Sequence, residues 1–253
     1  MNKISACIIS YNEEEKIEDC LKSLQGVADE IVVVDSLSND TTKEIAKRYT
    51  DKIYDQAFLG HVEQKNLAVS RASNNWIISL DCDERLTPEL RDSILAIKEN
   101  LDKADAYKMA RRTFYVYRWL NHCWYPDYKI RLFNRASAKW GGVNPHDRVE
   151  VDGDNIITLE GDILHYSFNS ISEHIKTLDN FTEIGAQEII NRGKNVRIWT
   201  PWLRGFWTFI RLYIFKRGFL DGYAGLVVSV LSGMHVFVKY NKVLFIRWSE
   251  ISN

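Results

Sequence analysis

The chain has 253 residues, 45% of them hydrophobic, which is enough to bury a full core in one catalytic-sized body with an appendage. Its four cysteines, Cys7, Cys20, Cys82 and Cys123, include no CxxC pair and read as reduced core thiols, against a disulfide framework. No signal-peptide pattern precedes the first apolar run, so a reducing cytoplasm is the expected compartment.

The first eighty residues alternate strand and helix. Lys3 to Ser10 is a near-continuous apolar run, as a parallel strand buried on both faces requires, and it ends in Tyr11-Asn12-Glu13. Asn12 is then expected to cap a helix with Glu15 at its third position, followed by Ile17, Cys20, Leu21 and Leu24 at helical spacing and closed by Gly26. Glu30 to Asp35 is a β-branched strand that again finishes in a carboxylate. A polar loop leads to a short helix around Ile45, Ala46 and Tyr49; a strand at Lys52 to Tyr54 and a helix near Val62 to Arg71 follow. Trp76 to Leu80 is the next strand, and Asp81-Cys82-Asp83 stands at its end. Parallel strands with helical crossovers thus bring Tyr11-Asn12-Glu13, Asp35 and Asp81/Asp83 to the edge where open α/β sheets bind ligands.

An Asp-x-Asp alone is as readily a solvated turn, but here its surroundings point to a nucleotide. The only glycines before Gly141 are Gly26 and Gly60, so neither a GxGxxG cradle nor a P-loop can be written. A divalent metal held by Asp81 and Asp83 would neutralise a diphosphate and account for the acidic rim. Asp35 either accepts from a ribose or base, or is a loop acid that starts the next helix.

Thr87-Pro88 opens a helix through Leu90, Ile94 and Ile97. Shorter strands are expected at Tyr107 to Thr113, Lys129 to Phe133, Ala138 to Trp140, Asp147 to Val151, Ile156 to Leu159 and Ile163 to Tyr166, with turns at Gly141-Gly142 and Asp152-Gly153-Asp154. These are expected to complete a mixed sheet.

The net charge of −1 hides an asymmetry. From Arg192 to Arg247 there are ten Lys or Arg against one acid, Asp221, while the rest carries 23 basic and 33 acidic residues. This tail also holds Trp199, Trp202, Trp207 and Trp248 among Phe206, Phe209, Tyr213 and Phe215. Cations interleaved with aromatic rings suit an anionic membrane surface better than nucleic acid. Neither apolar stretch reads as a span: Pro201, Arg204 and Arg211 interrupt the first, and Asp221 and His235 the second.

Four blocks in this order and spacing resemble glycosyltransferase family 2, the inverting nucleotide-sugar transferases of the GT-A fold. They are Ile8-Ile9-Ser10-Tyr11-Asn12-Glu13-Glu14, the run from Ile31 through Asp35 and Ser38 to Thr42, Gln64-Lys65-Asn66, and Asp81-Cys82-Asp83-Glu84. Within that family the chain is most similar to the lipopolysaccharide core β-1,4-glucosyltransferase group, through Trp124 to Phe133, Pro145-His146-Asp147-Arg148-Val149, Leu164-His165-Tyr166-Ser167 and Arg217 to Gly222. The group has Val-His-Glu where this chain has Pro145-His146-Asp147.

The resemblance implies an α/β GT-A enzyme, a Rossmann-like mixed sheet flanked by helices with a C-terminal helical membrane-associating appendage. Its catalytic domain would span 1–190, with a nucleotide half at 1–103 and an acceptor half at 104–190, and the appendage 191–253. Asp147 is implied as the general base, oriented or simply accompanied by His146. Ser10, Tyr11, Asn12, Glu13, Asp35, Ser38, Asn66, Asp81, Cys82 and Arg131 are implied at the donor, with Lys129 beside Arg131, and Asp83 holds Mg or Mn with Asp81 and His165. The donor would be a UDP-sugar, UDP-glucose first, and the acceptor a glycolipid or oligosaccharide on the inner face of the cell membrane, with no nucleic acid partner. Capsule synthesis with another sugar and a non-catalytic binding protein are the alternatives.

Overall fold

The computed structural model describes residues 2–143 and 146–252. Cα packing divides the chain into two units: the chain up to Arg112 together with Asp127–His165, and Thr113–Pro126 together with the chain from Tyr166 onward. Residue 190 falls near the end of a helix of the second unit.

The first unit is built on a mixed sheet. Strands β1 (Ile4–Ser10), β2 (Glu30–Asp35), β3 (Ile53–Asp55) and β4 (Trp76–Asp81) are parallel in the order β3-β2-β1-β4, joined by helices α1 (Ile17–Leu24), α2 (Thr42–Ala46) and α3 (His61–Arg71). Beyond β4 the order continues through β8 (Asp127–Asn134), β6 (Ala106–Tyr115), β11 (Ile156–Phe168) and β5 (Glu84–Leu86), with β8 antiparallel to both β4 and β6. Alternation along the strands fills both faces. Ile4, Ala6 and Ile8 of β1 join Val33, Ile78 and Leu80 over α1 and α4 (Pro88–Ile97), whereas Cys7, Val32, Val34 and Ile77 pack with Ala68 and Val69 of α3. Since the chain moves from β1 to β2 and β3 and then returns to add β4 on β1's other side, the carboxyl ends of β1 and β4 flank a topological switch point.

Several expected elements have different boundaries. α1 begins at Ile17 with no side-chain cap, because Asn12, at φ 52°, instead accepts from the Asn39 N–H at 3.0 Å. The Thr87 cap is present, accepting from Leu90 N–H, and Thr87 Oγ1 also accepts from Asp162 N–H at 3.2 Å. The two strands expected between Ile156 and Tyr166 are one, β11. Gly161 lies within it at φ 90°, where a Cβ would come 2.3 Å from the Leu90 nitrogen, so only glycine lets strand and helix approach. Gly141-Gly142 is not a turn: both residues belong to β9 (Ala138–Val143), paired with Arg148 and Asp147 of β10 (His146–Val151). Asn144 and Pro145, and the side chain of His146, lie outside the described residues.

In the second unit, β7 (Arg118–Trp119) pairs with the end of β6, and helices α5 (Ile171–Asn191), α6 (Thr200–Ile210) and α7 (Gly222–Ser252) follow. Tyr115, Leu120 and Cys123 pack with Leu212, Ala224 and Val228. The buried Asp221 carboxylate accepts from the N–H groups of Asn121, His122 and Cys123 at 2.9 to 3.0 Å and meets His122 Nδ1 at 2.8 Å. α6 and α7 cross where Gly205 faces Gly233; a Cβ on either would lie within 3.0 Å of the other's carbonyl oxygen.

The expectation that no stretch is long enough to span a bilayer is corrected. Gly218–Ser249, 32 residues, is long and apolar enough by length and composition to cross a membrane. Asp221 lies in the short turn Gly218–Asp221 that opens this stretch, just before α7 begins at Gly222, and its carboxylate is consumed by the backbone it binds.

Candidate functional site

The carboxyl ends of β1, β2 and β4 carry most of the residues singled out from sequence. At β2 the Asp35 carboxylate is fully buried and accepts from Ser38 N–H at 2.7 Å, Ser38 Oγ at 2.6 Å and Ser10 Oγ at 2.7 Å. It therefore folds its own loop, an Asx-type arrangement. Ser38 Oγ in turn accepts from Asn12 N–H, and Thr42 Oγ1 from Glu13 N–H. The result is a preassembled shelf on which Tyr11 and Leu37 stand exposed.

Next to this shelf the end of β4 enters a chain of alternating charges. Asp147 Oδ2 meets Lys65 Nζ at 2.7 Å, and Lys65 Nζ meets Asp81 Oδ1 at 2.8 Å. Arg131 then contacts Asp81 Oδ2 at 3.0 Å and Glu84 Oε1 at 2.8 Å, and Arg111 bridges Glu84 at 3.1 Å to Asp127 at 2.7 Å. Lys65, Arg131 and Glu84 are buried. Burial alone would raise the Asp81 and Glu84 carboxyls, but Lys65 and Arg131 hold Asp81 far below the ordinary carboxylate range, and Arg131 and Arg111 lower Glu84 against repulsion from Asp81. Lys129 Nζ reaches the other oxygen of Asp127 at 3.1 Å, so four carboxylates are matched by four cations and the run itself is close to neutral.

Asp83 and His165 stand together, with Oδ2 3.1 Å from Nε2. Asp81, expected to share an ion with them, has both oxygens engaged by Lys65 and Arg131. Among the described residues no group of three or more His, Cys, Asp or Glu is arranged around a metal position. A carboxylate oxygen and an imidazole nitrogen still fit a divalent ion that takes its other ligands from phosphate oxygens and water, as Mg and Mn do in nucleotide sites. The surrounding field is acidic: burial pushes the Glu13 carboxyl up, Lys16 opposes this, and the charges of Asp83, Asp40 and Asp81 push it further. Among the described residues His165 Nδ1, Arg131 Nε and Trp140 Nε1 are buried and find no hydrogen-bond partner.

Like Asp35, whose buried carboxylate is taken up by Ser10 and Ser38, further residues expected at the donor serve the framework instead. Cys82 is buried and its thiol donates to the Ile9 carbonyl at 3.1 Å. Asn66 pairs with the Trp140 backbone, donating to its carbonyl at 2.9 Å and accepting from its N–H at 3.1 Å. Arg131 is spent on Asp81 and Glu84 rather than left open. The sequence reading assigned no role to Lys65, Arg111 or Trp140. A faint signal existed in Asp127, Lys129 and Arg131, which alternate along β8, with Asp127 opposite Arg111 in register.

The sequence matches the family model described as Glycosyl transferase family 2 over residues 5–148. An uncharacterized glycosyltransferase of Rickettsia typhi is 31% identical over 96% of this chain and 87% of its own length. The lipopolysaccharide core biosynthesis glycosyltransferase LpsC of Rhizobium meliloti is 26% identical over 95% of this chain and 91% of its own. Among solved structures, S. aureus TarS 1-349 in complex with UDP-GlcNAc superposes with a TM-score of 0.49 at 16% identity, covering 95% of this chain and 83% of that one.

Removing one member of a buried ion pair strands its partners. Glu84→Gln should therefore lower the unfolding free energy by about 3 kcal/mol, read by urea denaturation. A loss below about 0.5 kcal/mol would mean that the arginines do not depend on this carboxylate.

Proposed function

The chain belongs to glycosyltransferase family 2, and on that premise we propose that it transfers a hexose, glucose first, with inversion from a UDP-sugar to a glycolipid or lipid-linked saccharide of the cell surface. The observation that carries this reading is that Asp147, tied through Lys65 to Asp81 at the carboxyl end of β4, is brought to the same strand end that the Asp83–His165 pair directly follows. Inverting transfer needs a base for the acceptor hydroxyl and positive charge where the diphosphate departs. Asp147 takes the proton as the acceptor oxygen attacks C1 of the sugar. A divalent ion bound by Asp83 and His165 would stabilise the charge that develops on the diphosphate. Lys65, Arg131 and Arg111 are already paired with carboxylates, which explains why the ion, rather than these cations, is assigned that charge. The shelf of Ser10, Tyr11, Asn12, Glu13, Asp35 and Ser38 underlies the nucleoside, its backbone fixed in advance by Asp35.

The acceptor class rests on the LpsC relationship and on the second unit's surface. Trp202, Leu203, Phe206 and Trp207 of α6 and the following Phe215, Phe219, Leu220 and Tyr223 are about half exposed or more, among exposed Arg204, Arg211, Lys216 and Arg217. Rings at the acyl boundary with cations on anionic headgroups hold a protein at a bilayer surface, here the cytoplasmic face.

A panel of UDP-hexoses incubated with Mn²⁺ or Mg²⁺ and a truncated lipopolysaccharide should give turnover with at least one donor; none with any donor would sink the assignment. UDP binding, followed by calorimetry with Mn²⁺, should weaken about tenfold or more in Asp83→Asn or with chelator. Equal affinity in all three conditions would remove the metal from the donor site.

Asp147→Asn keeps size and polarity but loses basicity, so turnover should fall by roughly 10² or more while UDP affinity stays within a few fold. Near-normal turnover would place the base elsewhere.

Wild-type protein should co-sediment with vesicles containing phosphatidylglycerol, less so as salt rises and less again when Arg211, Lys216 and Arg217 are replaced by Gln. Indifference to vesicles would leave the second unit a packed structural body.

A further inference from the structure

We propose that Lys65 is a positioning residue that fixes Asp147 for proton transfer, an inference that rests on the assignment of Asp147 as base. The lysine side chain is 5% exposed and enters from α3, yet its ammonium reaches two other elements, β10 at Asp147 (2.7 Å) and the end of β4 at Asp81 (2.8 Å). Its course is set by Trp140 of β9, whose ring centroid lies 4.3 Å from Nζ. Trp140 is itself held by Asn66, the next residue of the same helix, through both of its backbone hydrogen-bonding groups. Asn66 thus docks the helix on the strand, Trp140 carries the lysine arm, and the ammonium ties the acceptor-side carboxylate to the donor-side edge.

This arrangement does more than join two strands. Lys65 engages Oδ2 of Asp147, and in this proposal Oδ1 is the oxygen that meets the acceptor. In the transfer the acceptor O–H proton passes to Oδ1. The acceptor oxygen forms its bond to C1, and the C1–O bond to the diphosphate breaks with its electron pair leaving on the diphosphate. The reacting oxygen must lie close to C1 and to the base at once, so an unanchored Asp147 loses rate without loss of donor binding.

The test is a double-mutant cycle on UDP release from UDP-glucose with Mn²⁺, water serving as acceptor, or from whichever UDP-hexose turns over fastest. Lys65→Met should lower kcat roughly 10²-fold, with KM for the donor and calorimetric UDP affinity within about threefold, and Lys65→Arg should recover most of the loss. In the Asp147→Asn background the same Lys65→Met change should have almost no further effect, because the lysine acts through that carboxylate. Multiplicative losses in the double variant, or a fall in UDP affinity that matches the fall in kcat, would overturn the proposal and give Lys65 a role at the donor. Normal kcat in Asp147→Asn would instead remove the base assignment and this inference with it. Should Lys65→Met fail to fold, as thermal melting would show, Lys65→Gln, which keeps a donor without the charge, is read in the same cycle.

Discussion

Seven side chains, Asp127, Arg111, Glu84, Arg131, Asp81, Lys65 and Asp147, form one run of alternating charge through the first unit, and the rest of the site is arranged around it. Each inner member has an opposite charge on both sides, which is what makes burying them tolerable. The run draws on β4, β5, β6, β8, β10 and α3, so it also fixes how the antiparallel half of the sheet meets the parallel half. With Lys129 on Asp127 the run balances its own charges, so the acidity beside it lies with Asp83, Asp40 and Glu13, the last pushed up by burial and by its acidic neighbours, and it is there that a cation is attracted and a bare diphosphate repelled.

Much of this was legible in the sequence for local reasons. Apolar runs that end in Asp35 and Asp81 announce buried parallel strands whose carboxyl ends bear acids, and α4 is announced by Thr87-Pro88. What escaped was set by partners distant along the chain. Lys65 reads as one more helix lysine until Asp147, 82 residues away, is beside it. Gly161 reads as a break between strands until Leu90 shows what space it clears. Asn12 has the composition of a cap, but Asn39, 27 residues on, claims its side chain. Asp221 looks like an interruption of an apolar helix only while its acceptor role is unknown.

The shelf and the charged run divide the work between neutral and ionic hydrogen bonding. Asp35 spends its charge on two serines and a backbone N–H, which sets loop shape at β2; Asp81, on the neighbouring side of β1, spends its own on two cations. Two aspartates at equivalent strand ends thus carry opposite duties because their partners differ in charge.

The clamp around Asp221 has a consequence for how the polypeptide is made. Thr113–Pro126, from the end of β6 through β7 to the residue before β8, belongs to the unit completed only by the C-terminal helices. The acceptor for the N–H groups of residues 121 to 123 is synthesised 98 to 100 residues after them. On the ribosome, β8 is available to join β4 long before this segment has anything to close upon. The second unit is therefore the last to consolidate, and a chain stopped before Asp221 would carry its unfinished portion in the middle as well as at the end.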